Sequence, residues 1–337
     1  MYVRKSNGTL REVLVMNQTI LEIRRVTKHY EQQRFFSSKR NHIIKALSDI
    51  SLCLQKGESL GIVGESGCGK STLAKIILQL EKPTQGEIIF NGKDISTYTR
   101  SERQEYRRSI SIVFQDPFSS INPLRTVMET ISEPLLLHTT LNKGEREAKA
   151  EELIDAVGLQ KEHLKRYPHA LSGGQRQRIG IARAIAVNPH IIVADEPVSS
   201  LDVSVRAQIL NLFKDIQEKL LLSYIFISHD MSVVRYISDR IAVMYSGRIV
   251  EMATVRSIYE KTLHPYTQLL ISAIPEIGKA PIRNNVFDGI TNNLVQQDGN
   301  GCAFVSRCQY RKHICVTKEP KLMEQTPLHF VACHLFS

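Results

Sequence analysis

Ser59-Leu60-Gly61-Ile62-Val63-Gly64-Glu65-Ser66-Gly67-Cys68-Gly69-Lys70-Ser71-Thr72-Leu73-Ala74 passes from an apolar run, through a glycine-rich turn, into good helix formers. The apolar run, bounded by turn residues, predicts a buried strand, and Ser71 to Leu80 predicts a helix ending before Pro83. Between them, Gly64 to Ser71 carries the spacing G-x-x-x-x-G-K-S in the strand–turn–helix setting that a P-loop needs. Gly64, Gly67 and Gly69 let the backbone of this loop, Glu65, Ser66 and Cys68 included, curl its N–H groups around phosphate oxygens at a positive helix end. Lys70 is placed to reach the β- and γ-phosphates and the Ser71 hydroxyl to ligate Mg²⁺, with Thr72 in the same turn. Taken alone, the motif says only that a nucleotide is bound, which leaves kinases and GTPases open.

The next chemistry lies far downstream. Ile191-Ile192-Val193-Ala194 is a second short apolar strand, and Asp195-Glu196 follows it directly. An acid at the carboxyl end of a buried strand is suited to hold Mg²⁺ opposite Ser71, and Glu196 to act as general base on the attacking water. By itself, an acidic pair after a strand is as readily a turn; the P-loop upstream tips the reading. After it, Val205, Ile209, Leu212, Ile216 and Leu220 recur at helical spacing, with Asp202 as the expected N-cap. Ser223 to Ser228 predicts a third strand, and Ile241 to Met244 with Ile249 to Glu251 a hairpin around Ser246-Gly247. The alternation of strands and helices from about 20 to 265 predicts an α/β domain with a mostly parallel sheet. Residues of about 117–170 lack strand signals and read as a helical insertion.

Leu171-Ser172-Gly173-Gly174-Gln175 heads a further helix, to about Val187, with Ser172 and Gln175 at capping-box spacing. Most such strings merely start a surface helix. A glycine-rich helix start carrying a serine hydroxyl is also a phosphate-binding end, so the chain presents two of them.

The segment from Leu171 to Gln208, LSGGQRQRIGIARAIAVNPHIIVADEPVSSLDVSVRAQ, closely resembles the nucleotide-binding subunits of ABC transporters, and most nearly those of oligopeptide/dipeptide permeases. The resemblance runs from about Ile23 to Leu335. It implies a P-loop NTPase of the ABC type that binds ATP and Mg²⁺ and hydrolyses ATP to drive uptake of peptides. It also implies that Ser172, Gly173, Gly174 and Gln175 close over ATP held by a partner's P-loop. Gln115, in Val113-Phe114-Gln115-Asp116, matches the loop glutamine that touches Mg²⁺ or the water. Asp202 matches the aspartate that communicates across the dimer, although Ser200 stands where the family often has alanine. His229 matches the histidine that contacts the γ-phosphate, and Tyr30 the aromatic that stacks on adenine. The implied partners are a second ATPase subunit, giving a heterodimer, two membrane-spanning permease subunits and an extracytoplasmic substrate-binding protein, with no nucleic acid. The implied location is the cytoplasmic face of the plasma membrane.

Residues 275–337 form a C-terminal extension of weak periodicity, with a polar linker from Lys279 to Asn300. Four of the six cysteines crowd into it: Cys302, Cys308, Cys315 and Cys333, spaced C-x5-C-x6-C-x17-C. That spacing matches neither a ferredoxin run nor a zinc ribbon. The extension resembles that of peptide permease ATPases, as does Leu263-His264-Pro265-Tyr266-Thr267. Through the resemblance these cysteines imply a possible [4Fe–4S] cluster. Four reduced thiols, or zinc with His313, His329 or His334, are the other readings.

Bulk properties are compatible with all of this. A net charge of +10 suits nucleotide, nucleic acid or a membrane surface, and equally an ordinary basic exterior. No stretch approaches the ~18 apolar residues that span a bilayer, and Met1 to Asn17 has no long apolar core of a secretory signal. A nickel-type importer ATPase is the nearest alternative. A DNA-acting ABC ATPase would need long coiled-coil arms or a zinc-bearing insert, and a translation-associated one a second ATPase domain.

Overall fold

The computed structural model describes residues 18–32, 42–116, 120–274 and 301–336. Met1 to Asn17 and the Lys279–Asn300 linker lie outside them. Along the chain, β1 (Thr19–Gln32) and β2 (His42–Gln55) precede β3 (Ser59–Val63), and the glycine-rich turn leads from β3 into α1 (Lys70–Ile77). There follow β4 (Gln85–Phe90), β5 (Lys93–Asp94), α2 (Arg100–Ser109) and β6 (Ile110–Val113). Next come α3 (Val127–His138), α4 (Lys143–Ala156) and α5 (Gly173–Ile185). The chain continues through β7 (Ile191–Asp195), α6 (Val203–Leu220), β8 (Ser223–Ser228), α7 (Met231–Ile237), β9 (Arg240–Tyr245) and β10 (Arg248–Thr254). It ends with α8 (Val255–Glu260), α9 (Pro265–Ser272), α10 (Ile314–Thr317), β11 (Met323–Thr326) and β12 (His329–Val331).

The main sheet runs β11-β12-β10-β9-β3-β8-β7-β6. It is parallel from β9 through β6 and antiparallel at the β10 edge. Every residue of β3 and β8 is buried, which is why both have apolar centres without polar alternation: helices cover both faces of a parallel sheet. Because β3 and β7 are both central, their carboxyl ends bring the P-loop and Asp195 to the same edge. That edge is where ligands bind in open α/β sheets.

A second sheet, β2-β1-β4-β5, is wholly antiparallel and is not anticipated by the strand–helix alternation. Its long strands hide their period. The β1–β2 register slips between Ile23 and Val26 and again between Val26 and Lys28, and Arg25 and Asp49 both take left-handed backbone there. A bulge of this kind shifts the inward face by one residue, so simple alternation fails in the sequence.

Helices α3, α4 and α5 share a core of Ile131, Leu135, Ala150, Ile154, Ile179, Ala182 and Ile185, distinct from the core in which Leu73, Ile76 and Ile77 of α1 pack. The P-loop helix and the Leu171–Gln175 helix therefore belong to different packing units. The extension, for its part, joins the main sheet, because β12 pairs with β10 through Glu251↔Val331 and Met252↔Phe330. The fully buried carboxylate of Glu251 accepts from Leu263 N (2.8 Å), His264 N (3.0 Å) and His329 Nε2 (2.7 Å). Three donors make that burial tolerable and tie the extension to the strand it extends.

Candidate functional site

The turn after β3 is built around positions that only glycine occupies without strain. Gly69 is left-handed (φ 107°), and a Cβ there would lie 2.6 Å from the Ala46 carbonyl oxygen. At Gly64 a Cβ would meet Met244 O at 2.2 Å. The buried Lys70 curls back into the loop, donating to Gly64 O (2.7 Å) and Glu65 O (3.0 Å), with Cys68 Sγ 3.8 Å away. The ammonium thus lies inside the cradle that the backbone forms, where a phosphate oxygen would take over its carbonyl contacts.

Across the cradle, Ser71 Oγ donates to Asp195 Oδ1 at 3.5 Å. Burial raises the Asp195 carboxyl above its ordinary range and the adjacent Glu196 raises it further, while Ser71 and Lys70 pull it down. A half-buried carboxylate next to a hydroxyl is an oxygen donor set that suits Mg²⁺.

Glu196 follows with φ 47°, a left-handed backbone that a non-glycine residue adopts at a cost, and its N–H donates to Ile227 O of β8 at 2.9 Å. That conformation turns its carboxylate towards Gln115 Nε2 (3.0 Å) and His229 Nδ1 (3.1 Å). The structure therefore brings Gln115, Glu196 and His229 onto one carboxylate from three segments that lie after β6, β7 and β8. Such a carboxylate, oriented by two side chains at the open edge of the sheet, can take a proton from a water.

Tyr30, near the end of β1, is half-buried beside the P-loop helix. Its hydroxyl donates to Glu81 and meets the Thr72 side chain, and Lys28 Nζ lies 5.0 Å from its ring centroid. Burial, and then Glu81, push that phenol upward.

Ser172, Gly173, Gly174 and Gln175 begin α5 with a complete capping box: Gln175 N donates to Ser172 Oγ (3.3 Å), and Ser172 N to Gln175 Oε1 (3.0 Å). Gly174 packs so closely that a Cβ would come within 2.6 Å of Val205 Cγ1. Asp202 occupies the expected N-cap position of α6, although its side chain makes no cap hydrogen bond and is exposed.

Two contacts to the P-loop are absent from any motif. Tyr266 Oη accepts from Glu65 N at 2.9 Å, and Arg307, in the extension, grips the Glu65 carboxylate with two bonds of 2.9 and 3.0 Å. Tyr266 belongs to the Leu263–Thr267 segment that carries the family resemblance, whereas only the unpaired charge of Glu65 inside a phosphate-binding loop signals Arg307 in the sequence.

The extension's cysteines are all free thiols, and among the described residues no group of three or more His, Cys, Asp or Glu side chains is arranged to hold a metal ion. The iron–sulfur expectation finds no support there. Among the described residues, no helix is long and apolar enough to cross a membrane.

The family described as ABC transporter matches residues 47–199, and the one described as oligopeptide/dipeptide transporter, C-terminal region, matches 250–315. Over 324 residues the chain is 47% identical to the oligopeptide transport ATP-binding protein AppF of Bacillus subtilis strain 168, covering 95% of this chain and 98% of that protein. The chain belongs to the ABC transporter family. This ABC ATPase is also 44% identical over 312 residues to the dipeptide transport ATP-binding protein DppF of Escherichia coli K12, covering 92% of each. Among solved structures, the dimeric ATP-binding cassette MJ0796 in a post-hydrolysis state with ADP and Pi aligns with TM-score 0.62 and 33% identity, over 70% of this chain and 99% of that one. The CbiO1 subunit of Clostridium perfringens aligns with TM-score 0.61 and 28% identity, over 72% and 92%.

Proposed function

We propose that this ABC ATPase energises the import of oligopeptides or dipeptides. It does so as one of two unlike ATPase subunits seated on two membrane-spanning permeases at the cytoplasmic face, with an extracytoplasmic protein delivering the substrate. The observation that carries this reading is its likeness to peptide-transport ATP-binding proteins over nearly its whole length, including the C-terminal region at 250–315.

Within the ATP site, Gly64, Glu65, Ser66, Gly67, Cys68 and Gly69 form the phosphate cradle, and Lys70 and Thr72 close it. Ser71, Asp195 and Gln115 hold Mg²⁺, which supplies charge neutralisation to the phosphates when bound. Glu196 accepts a proton from the attacking water, kept in place by Gln115 and His229. Tyr30 supports the adenine. Ser172, Gly173, Gly174 and Gln175 face the nucleotide of the partner subunit, and Asp202 faces that subunit from its exposed position. This division is supported by the separate packing units of α1 and α5.

The test is uptake. In cells whose only copy carries Glu196→Gln, import of labelled tri- and tetrapeptides should fall to background. Intact peptide uptake with lost nickel uptake would make this a nickel-type importer subunit instead.

A separate proposal, which rests on the family resemblance, is that Cys302, Cys308, Cys315 and Cys333 hold a [4Fe–4S] cluster. Each sulfur accepts a backbone N–H, from Phe304, Tyr310, Lys312 and Leu335 respectively, contacts of the kind that tune a cluster's potential. The thiols also lie near enough to raise one another: Cys302 is pushed up to about 11, mainly by burial and then by the other three. Iron and acid-labile sulfide in anaerobically purified protein would establish the cluster, and iron-free protein would remove it.

A further inference from the structure

The extension lies far from the P-loop in sequence yet holds its second residue. Every polar group of Glu65 is engaged. Its N–H donates to Tyr266 Oη (2.9 Å), its carbonyl accepts from Lys70 Nζ (3.0 Å), and its carboxylate receives the two-pronged guanidinium of Arg307 (2.9 and 3.0 Å). Arg307 is itself well founded. Its N–H donates to Phe304 O (3.1 Å), and its guanidinium lies 5.6 Å from the Phe304 ring centroid and 5.8 Å from that of Tyr245. Those rings pack on each other and on the fully buried Tyr266, with centroids 4.6 to 5.5 Å apart. The aromatic cluster thus fixes both the Tyr266 hydroxyl and the Arg307 fork relative to β9, and through them the turn that follows β3.

The charge balance gives this clasp a role beyond packing. A phosphate cradle that carries a carboxylate opposes the polyanion it must bind. The Glu65–Arg307 pair is about two-fifths exposed and borders the open loop, so the carboxylate's field reaches the cradle unless it is cancelled locally. A bidentate guanidinium cancels it and also fixes the side chain's direction.

We propose that Arg307 is a positioning residue for ATP binding: from the C-terminal extension it neutralises and holds Glu65, so that the P-loop accepts the triphosphate. The inference rests on the P-loop being the ATP site. It would survive the failure of the peptide reading, because its test measures nucleotide and not transported substrate.

The experiment uses the full-length chain, with equilibrium MgATP binding and steady-state hydrolysis measured side by side. Arg307→Ala should raise both the Kd and the KM for ATP about fivefold, the scale of a partly exposed ion pair, and leave kcat within about twofold. In the double variant Arg307→Ala/Glu65→Gln the opposing charge is gone, and ATP affinity should return to within about twofold of the parent. An unmoved Kd in Arg307→Ala overturns the proposal, and so does a double variant as weak as the single one. Should Arg307→Ala fail to fold, as judged by circular dichroism, Arg307→Gln carries the test. It removes the charge but keeps a polar side chain, so its Kd for MgATP should rise about fivefold, and a Kd within about twofold of the parent overturns the proposal.

Discussion

Two helix starts in this chain carry glycine-rich strings suited to phosphate, and they are built in opposite ways. At α1 the N-cap is Gly69, no side chain caps the helix, and the cradle is held open by left-handed glycines with Lys70 folded inside. At α5 the cap is complete before any ligand arrives, since Ser172 and Gln175 satisfy each other. What the two share is a missing charge. Helices α2, α3 and α4 all begin with capping boxes whose third residue is a glutamate, Glu102, Glu129 or Glu145, which complements the positive helix end. Neither α1 nor α5 has an acidic residue in its first turn. In α5 a neutral glutamine keeps the geometry of the box while leaving the dipole for an outside anion. The difference between the two starts is then one of setting: α1 lies beside Asp195, with Ser71 Oγ 3.5 Å from its carboxylate, whereas α5 packs in a different unit.

The largest break between the two should come from Glu196→Gln. Because the chemistry belongs to the P-loop end alone, turnover should fall about 10²- to 10⁴-fold while ATP binding persists; undiminished hydrolysis would remove Glu196 as the base. Next is Gln175→Glu, which preserves the capping box but fills the dipole from within. Turnover of the assembled transporter should drop about tenfold, with thermal stability equal to the parent or slightly above it. Turnover at parental levels would show that α5 does not face phosphate. Ser172→Ala should lower unfolding free energy by about 1 kcal/mol and leave the affinity of this chain's own P-loop unchanged, because α5 packs in a different unit from α1. A matching loss of ATP affinity in the isolated chain would couple the two ends.

The last prediction concerns a third helix start. The cap of α9 is His264, whose Nδ1 accepts from Tyr266 N at 3.1 Å. Burial lowers this imidazole to about 4, against the opposing pull of Glu251. Between pH 6.5 and 4 the unfolded chain therefore takes up a proton that the folded chain refuses, so stability declines as the pH falls through that window, by up to about 3 kcal/mol. His264→Asn, which keeps a capping acceptor without titrating, should flatten the decline in thermal midpoint. An unchanged slope would assign the loss to other groups.

Much of the candidate site is legible in the sequence. The P-loop, Asp195-Glu196 and Leu171–Gln175 are contiguous strings in which spacing alone encodes backbone geometry, and β3, β7 and β8 read as strands because burial on both faces keeps their central residues apolar. The antiparallel β1–β2 sheet was not legible, because its bulges at Arg25 and Asp49 break the alternation on which such a reading depends. The strands β11 and β12 were too short to show a period, and they exist because β10 offers an open edge.

Two glycine-rich helix starts suited to phosphate and a strand-end acidic pair are written in the chain itself, since each is a local pattern that depends on a few neighbouring residues. Which groups meet depends on the packed fold. Gln115, Glu196 and His229 converge because parallel strands β6, β7 and β8 end at the same edge, and Arg307 reaches Glu65 because the extension packs its aromatic cluster against β9. Contacts between residues so far apart in the chain depend on sheet order and on the packing of rings, and no spacing along the sequence records either.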